Sequence, residues 1–197
     1  MQAVRNSSSA LCRHLARFAR DESGVVVVEM MIYLPLLLWA WLAMFAFWDA
    51  YREINIAQKA TYSISDMLSR EQTAVNDTYR NGLRNVFAYM NGTTNDHVKV
   101  RFTSITYKVT NKVGAFKVDW SYSPGSALPK LTTTTLQAQF KDDIPIMSDG
   151  DYVLMIETTV DYDPVIDVPS VTFDEISNRV ITRPRFMRVC ESGQTCT

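Results

Sequence analysis

The residues whose types and spacing bear on chemistry lie at one junction, Arg20-Asp21-Glu22-Ser23-Gly24-Val25-Val26-Val27-Val28-Glu29. Gly24 is the last residue before an apolar run over residues 25–48, and Glu29 is the only formally charged residue inside that run. The chemistry to weigh here is a cut made in this chain by another protein, with Gly24 as the residue before it. A peptidase that must approach the backbone closely favours a residue without a side chain. Cutting after Gly24 creates an α-amine on Val25 with a pKa of roughly 8. That ammonium is expensive in hydrocarbon, and so is Glu29, at a cost on the order of 3 kcal/mol deep in a span. If neighbouring helices are staggered by a few Å, the Glu29 carboxylate of one meets the Val25 ammonium of the next, and each neutralises the other. Glu29 is then a register device for packing helices rather than a catalytic acid. The competing reading has Glu29 reach back to the headgroups, about one turn from the membrane edge. A Gly-x4-Glu spacing alone is weak; its placement at the start of the apolar run carries the argument.

The run itself must position these groups. As a helix its 24 residues rise about 36 Å, enough for a hydrocarbon core of about 30 Å. It is too long for the apolar region of a signal peptide, roughly 7–15 residues. No small-x-small cleavage site follows; the chain continues Trp48-Asp49-Ala50-Tyr51-Arg52. A retained anchor is expected. The alternative, a buried helix of a soluble core, does not explain Trp39, Trp41, Phe45, Phe47 and Trp48 crowded at one end, as an aromatic interface belt does. Arg5, Arg13, Arg17 and Arg20 precede the run, while Arg52 and Lys59 are the only Lys or Arg in the twenty residues after it. The excess of Arg before the span orients the N-terminus to the cytoplasm and the bulk of the chain outside it.

Residues 1–24 read as a basic leader, with Leu11, Leu15 and Phe18 on one helical face and arginines around it, a pattern suited to an anionic membrane surface. A mitochondrial presequence is the rival reading, and acidic Asp21-Glu22 abutting a full span suits it poorly. Residues 49–91 read as an amphipathic helical region. Ile54, Ala57, Thr61, Ile64 and Leu68 form one stripe. A second segment from about Thr73 to Met90 repeats it with Val75, Tyr79, Leu83, Val86 and Met90, ending at Asn91-Gly92. Ser69-Arg70-Glu71-Gln72 is either a break or part of one long helix. Residues 92–197 read as a β-rich region. Val98, Val100 and Phe102 alternate with charge, and Ile105, Tyr107 and Val109 continue on shifted parity, which predicts a bulge near Thr103-Ser104. Asn111-Lys112 turns the chain into Phe116, Val118, Trp120 and Tyr122, giving a hairpin with one wet face. A short helix is expected around Thr134 to Phe140 and a strand over Tyr152 to Tyr162. The fold class is therefore α+β: a long N-terminal helix, transmembrane then amphipathic, with a small antiparallel sheet.

Elsewhere the sequence offers little catalytic chemistry. His14 departs with the leader, and His97 alone reads as a solvated side chain. No nucleophile elbow, phosphate loop or Cys/His metal spacing occurs. Asp142, Asp143, Asp149 and Asp151 lack the pattern of a Ca²⁺ loop and read as turn residues. No metal, cofactor or small-molecule substrate is implied, and a net charge of −1 gives no electrostatic reason to expect nucleic acid. Arg179, Arg183, Arg185 and Arg188 form a basic tail, either a docking surface or a solvated face. Cys12 lies in the leader. Cys190 and Cys196 lie outside the cytoplasm on this topology, where such a pair can close a small disulfide loop or remain two free thiols. Pro35 leaves the Met31 carbonyl without its helical donor and either bends the span or is passive.

The Gly24/Val25 junction with Glu29 resembles the processing site of type IV pilin-like proteins. The acidic patch before Gly24 and the early Pro35 resemble, more narrowly, the TadE/TadG group of minor pseudopilins of the tight adherence, or Flp, pilus system. Asp149-Gly150-Asp151-Tyr152-Val153-Leu154-Met155-Ile156-Glu157, then Tyr162-Asp163-Pro164, Arg183-Pro184-Arg185-Phe186 and the closing cysteines, resemble that group's C-terminal pattern. Residues 49–148 match only in general character. Members often carry an aromatic after the Glu, where Met30 stands here. Type II secretion pseudopilins usually begin with Phe, where Val25 stands here. The resemblance implies a structural or assembly subunit rather than an enzyme, cut by a prepilin peptidase. Its other partners would be pilins, the pilus assembly platform and the bacterial inner membrane, with the C-terminal domain periplasmic and entry into an extracellular pilus open. Two other functions fit less well: an uncleaved membrane-anchored accessory protein, and an anchored extracytoplasmic enzyme.

Overall fold

The computed structural model describes Arg17, residues 24–164 and residues 174–194. The leader expected over residues 1–24, including Cys12 and His14, lies outside these residues apart from Arg17 and Gly24, as does Cys196. The chain divides into two compact units, residues 1–46 and 47–197. The expected boundary between anchor and outer region, at 48/49, falls two residues later.

Helix α1 (Val25–Ser69) runs unbroken through Pro35. It ends where Ser69 Oγ turns back onto the Asp66 carbonyl and Arg70 closes onto Asp66 and Met67. The segment over Ser69-Arg70-Glu71-Gln72 is thus a break. Helix α2 (Asp77–Met90) starts on an N-cap, the Asn76 side chain accepting from Tyr79 N–H at 2.8 Å. It begins four residues later than the periodicity predicts. Val75, expected on its apolar stripe, instead bridges in parallel to Glu191.

The sheet is antiparallel, in the order β2-β1-β3-β4, from β1 (Val98–Thr110), β2 (Val113–Tyr122), β3 (Tyr152–Asp161) and β4 (Glu175–Thr182). Asn111 and Lys112 both take positive φ, 52° and 65°, the two-residue turn whose twist matches the strands it joins. The third helix, α3 (Thr133–Gln139), is capped by Thr132. The α+β class is as expected, and β4 adds a fourth strand that the sequence pattern does not predict.

Two apolar clusters cover the two faces of the sheet. On one face Ala57, Ala60, Ile64 and Leu68 of α1 and Leu83 and Phe87 of α2 pack on Val98, Val100, Phe102, Trp120, Leu154, Ile156, Val160 and Ile176. The predicted stripe on α1 is therefore the buried one, and small Ala57 and Ala60 let the helix approach the strands. Each fully buried Ile or Leu contributes about 1.5–3 kcal/mol. On the other face Ile105, Val153 and Met155 pack under Leu131, Leu136, Phe140, Ile144 and Met147, with Tyr107, Phe116 and Val118 at the margin. The hairpin thus has no wholly wet face.

A register shift does fall where the parity changes, between Ser104 and Ile105, but its extra residue is not on β1. The parity shift in β1 needs no extra residue, because β1 pairs with β3 in unbroken register from Val98 to Thr106. Val98, Val100 and Phe102 fill one face, and Ile105 and Tyr107 fill the other. The bulge sits opposite, on β2: Ser104 pairs with Trp120 and Ile105 with Val118, leaving Asp119 as the extra residue. That insertion sends Phe116 and Val118 to one face and Trp120 and Tyr122 to the other.

Candidate functional site

The junction occupies the start of α1. Gly24, in a 3-10 conformation, immediately precedes Val25, the first residue of α1. A Cβ built on Gly24 would meet no atom within 4 Å, and its backbone is outside the left-handed region. The fold makes no demand for glycine at this position. Val25 to Val28 are exposed, and Glu29 lies exposed just over one turn into the helix. Met31, whose carbonyl lacks its donor because of Pro35, is exposed as well. Residues 25–48 belong to a helix long and apolar enough to cross a membrane, and its most apolar window is unburied. Val25 and Glu29, four residues apart, therefore share one face of the helix, with Gly24 just before its start and Pro35 about two turns further on.

At the opposite end of the sequence, residues 189–192 form a strap against the α1–α2 loop. Val75 N–H donates to the Cys190 carbonyl and Ser192 N–H to the Val75 carbonyl, both at 2.9 Å. Trp120 Nε1 donates to the Val189 carbonyl at 2.9 Å. Under the strap lies Arg80, 2% exposed. Its guanidinium donates to Glu191 at 3.0 Å and Asp77 at 2.6 Å and lies 4.0 Å from the Tyr122 ring centroid. Cys190 is fully buried within this strap.

The four tail arginines are dispersed, each engaged within the domain. Arg179 sits on β4 in a ladder across three strands, Arg101–Glu157–Arg179, set by the register Arg101↔Glu157 and Glu157↔Arg179. Arg101 and Glu157 are nine-tenths buried and paired at 2.6 Å; Arg179 also pairs with Asp143 and lies over the Phe140 ring. Arg183 donates to the Ile146 carbonyl at 3.1 Å. Arg185 pairs with Asp66 at 2.8 Å, and Arg188 donates to the Tyr152 hydroxyl at 3.0 Å. Three of the four turn acids have structural partners: Asp143 pairs with Arg179, Asp149 accepts from Val109 N–H and Asp151 from Ser148 N–H. His97 is exposed, its Nδ1 3.3 Å from Asp161. Among the described residues no cluster of three His, Cys, Asp or Glu is placed to hold a metal.

Close to the end of the apolar run, the Tyr162 hydroxyl donates to Asp49 at 3.1 Å. Burial, reinforced by that hydrogen bond and the Asp49 charge, pushes the Tyr162 phenol up to about 12. Burial and the Glu71 charge do the same to Tyr79, also to about 12. Sequence reasoning missed Arg80, Glu191 and the Arg101–Glu157 pair; the one available signal was the odd charge inside two apolar patterns. No protein-family model matches the chain, and neither a curated protein nor a solved structure is significantly similar to it.

Proposed function

We infer that this chain is a minor pilin-like structural or assembly subunit of a type IV-like, Tad/Flp-class pilus. It is made with a leader that a prepilin peptidase removes between Gly24 and Val25, and it acts as an assembly protein, not an enzyme. The observation that carries the reading is the coincidence at one point of a glycine the fold does not require, the first residue of a membrane-length helix, and a lone acid just over one turn beyond. The chain sits in the inner membrane with its N-terminus cytoplasmic and residues 49–197 periplasmic. Its partners are other pilins and the assembly platform. Cys190 is buried, and in an oxidising compartment it pairs with Cys196 to close a small loop.

Glu29→Gln tests the assembly role. If Glu29 only reaches the headgroups, the substitution is harmless, because it removes a charge from lipid. If it meets the Val25 ammonium of a neighbour, Gln leaves that ammonium desolvated and unpaired, at a cost of about 3–5 kcal/mol. The variant should insert and be cut normally, yet lose subunit crosslinking and piliation. Glu29→Asp should be partly defective. Wild-type crosslinking and wild-type pili in Glu29→Gln would refute the assembly role.

A further inference from the structure

Strand β2 is an edge of the sheet, and an uncovered edge is a template for another strand. Part of this edge is closed. Val118 N–H donates to Thr133 Oγ1 at 3.1 Å, and Gln137 Nε2 donates to the Phe116 carbonyl at 3.0 Å. Helix α3 thereby satisfies two of the outward backbone groups with side chains. In an antiparallel strand the outward-facing groups recur at every second residue, so the N–H and C=O of Gly114 and the N–H of Phe116 face the same way. Among the described residues nothing pairs with them.

These free groups open onto a groove of about 740 Å³. One wall is the β2 edge with Tyr107 and Phe116; the other is the loop holding Ile144 and Ile146. Ile146 is 95% exposed although its carbonyl is fixed by Arg183. Gly114 keeps the groove in shape, since a Cβ there would lie 1.6 Å from the Tyr107 hydroxyl. The charge along this edge is one-sided. Lys141 lies in the groove wall and Lys112 at the hairpin turn, while Lys108 and Lys117 alternate onto the sheet face opposite Tyr107 and Phe116. None of the four forms an ion pair among the described residues, and Asp142 is the one acid in the lining.

From these features we propose that the 113–116 edge of β2 is a strand-addition site that takes an extended, acidic segment of a partner polypeptide. The incoming backbone pairs with Gly114 and Phe116, an apolar side chain enters the groove against Ile144 and Ile146, and acidic side chains meet the lysines. This mode draws affinity from main-chain hydrogen bonds and specificity from alternate side chains. It is independent of the pilus reading and of leader cleavage.

The test uses the full chain in detergent micelles and a short synthetic peptide alternating Glu and Val. Amide exchange at Gly114 and Phe116 should slow on the order of tenfold. The effect should fade at about 1 M salt, where the screening length is about 3 Å. A Lys/Val peptide should not reproduce it, nor a Glu/Pro peptide, which has no N–H at the Pro positions. Ile146→Asp and Lys141→Glu, both at surface positions and checked for folding by circular dichroism, should each weaken peptide binding on the order of tenfold or more. No protection by the Glu/Val peptide, equal protection by the Lys/Val peptide, or unchanged binding to both variants would overturn the proposal. Concentration-dependent protection without any peptide would assign the edge to a second copy of the chain and overturn it equally.

Discussion

Arg80 on α2 donates a hydrogen bond to Glu191 at 3.0 Å, closing a span of 111 residues in sequence. The pair locks the C-terminal strap onto the helical half of the domain. Because Glu191 is more exposed than Arg80, with side-chain exposures of 38% and 2%, its two partners respond differently to substitution. Glu191→Gln leaves Arg80 paired with Asp77 and should cost about 1–2 kcal/mol. Arg80→Ala also removes the stacking on Tyr122 and should cost about 3–5 kcal/mol. Denaturant unfolding of both single variants and the double variant measures this. Costs that simply add would mean the contact is not coupled.

Thr61 on α1 and Thr158 on β3 share a hydroxyl–hydroxyl contact of 2.7 Å in the buried helix–sheet layer. Thr61→Val should destabilise by about 1–3 kcal/mol, because the Thr158 hydroxyl loses its partner across that layer. The Thr61→Val/Thr158→Val double variant should recover most of the loss, since two apolar groups replace two polar ones. Equilibrium unfolding of the three variants decides this.

Tyr162 is raised to about 12 by burial and its bond to Asp49, against an ordinary value of about 10. A raised value means the fold holds the neutral phenol. Its contribution is fully present below pH about 10 and is lost as pH rises toward about 12, where the folded phenol also ionises. Tyr162→Phe should flatten the decline of stability across that window. Tyrosinate absorbance, followed together with unfolding, gives the readout, and an unchanged slope in the variant would contradict the assignment.

Lys112 holds φ 65° in the hairpin turn without being glycine. Lys112→Gly creates Asn-Gly, the preferred pair for that turn, and should stabilise the domain by about 0.5–1 kcal/mol. Thermal unfolding tests it.

These contacts also show where the sequence was readable. The period of three and four from Ile54 to Leu68 identified the buried face of α1, because that face meets one continuous apolar layer. The Asn111-Lys112 turn was legible from Asn111, which tolerates positive φ, between two alternating apolar runs. The hairpin interior was not. Phe116, Val118, Trp120 and Tyr122 alternate strictly in sequence, yet the bulge at Asp119 splits them between two cores, and nothing in a period of two reveals one unpaired residue. Strand β4 escaped because its buried residues, Ile176 and Val180, are four apart with the polar Asn178 between them. Arg179 looked like part of a basic tail until the register placed it beside Glu157. Arg80 lies in an amphipathic helix whose sequence pattern does not mark it as buried; the strap, more than a hundred residues away, covers it. Gly24 and Glu29 are a different case: the roles proposed for them rest on their position at the edge of the apolar run and not on tertiary contacts.

The central claim is tested most directly by the N-terminus of the membrane-purified protein. Terminal sequencing or intact mass should find a chain that begins at Val25 when the pilus peptidase is present. The full-length chain should persist when that peptidase is absent or when Gly24 is replaced by Val. A mature chain beginning anywhere else, or a Gly24→Val protein still cut to the wild-type size, would contradict the account.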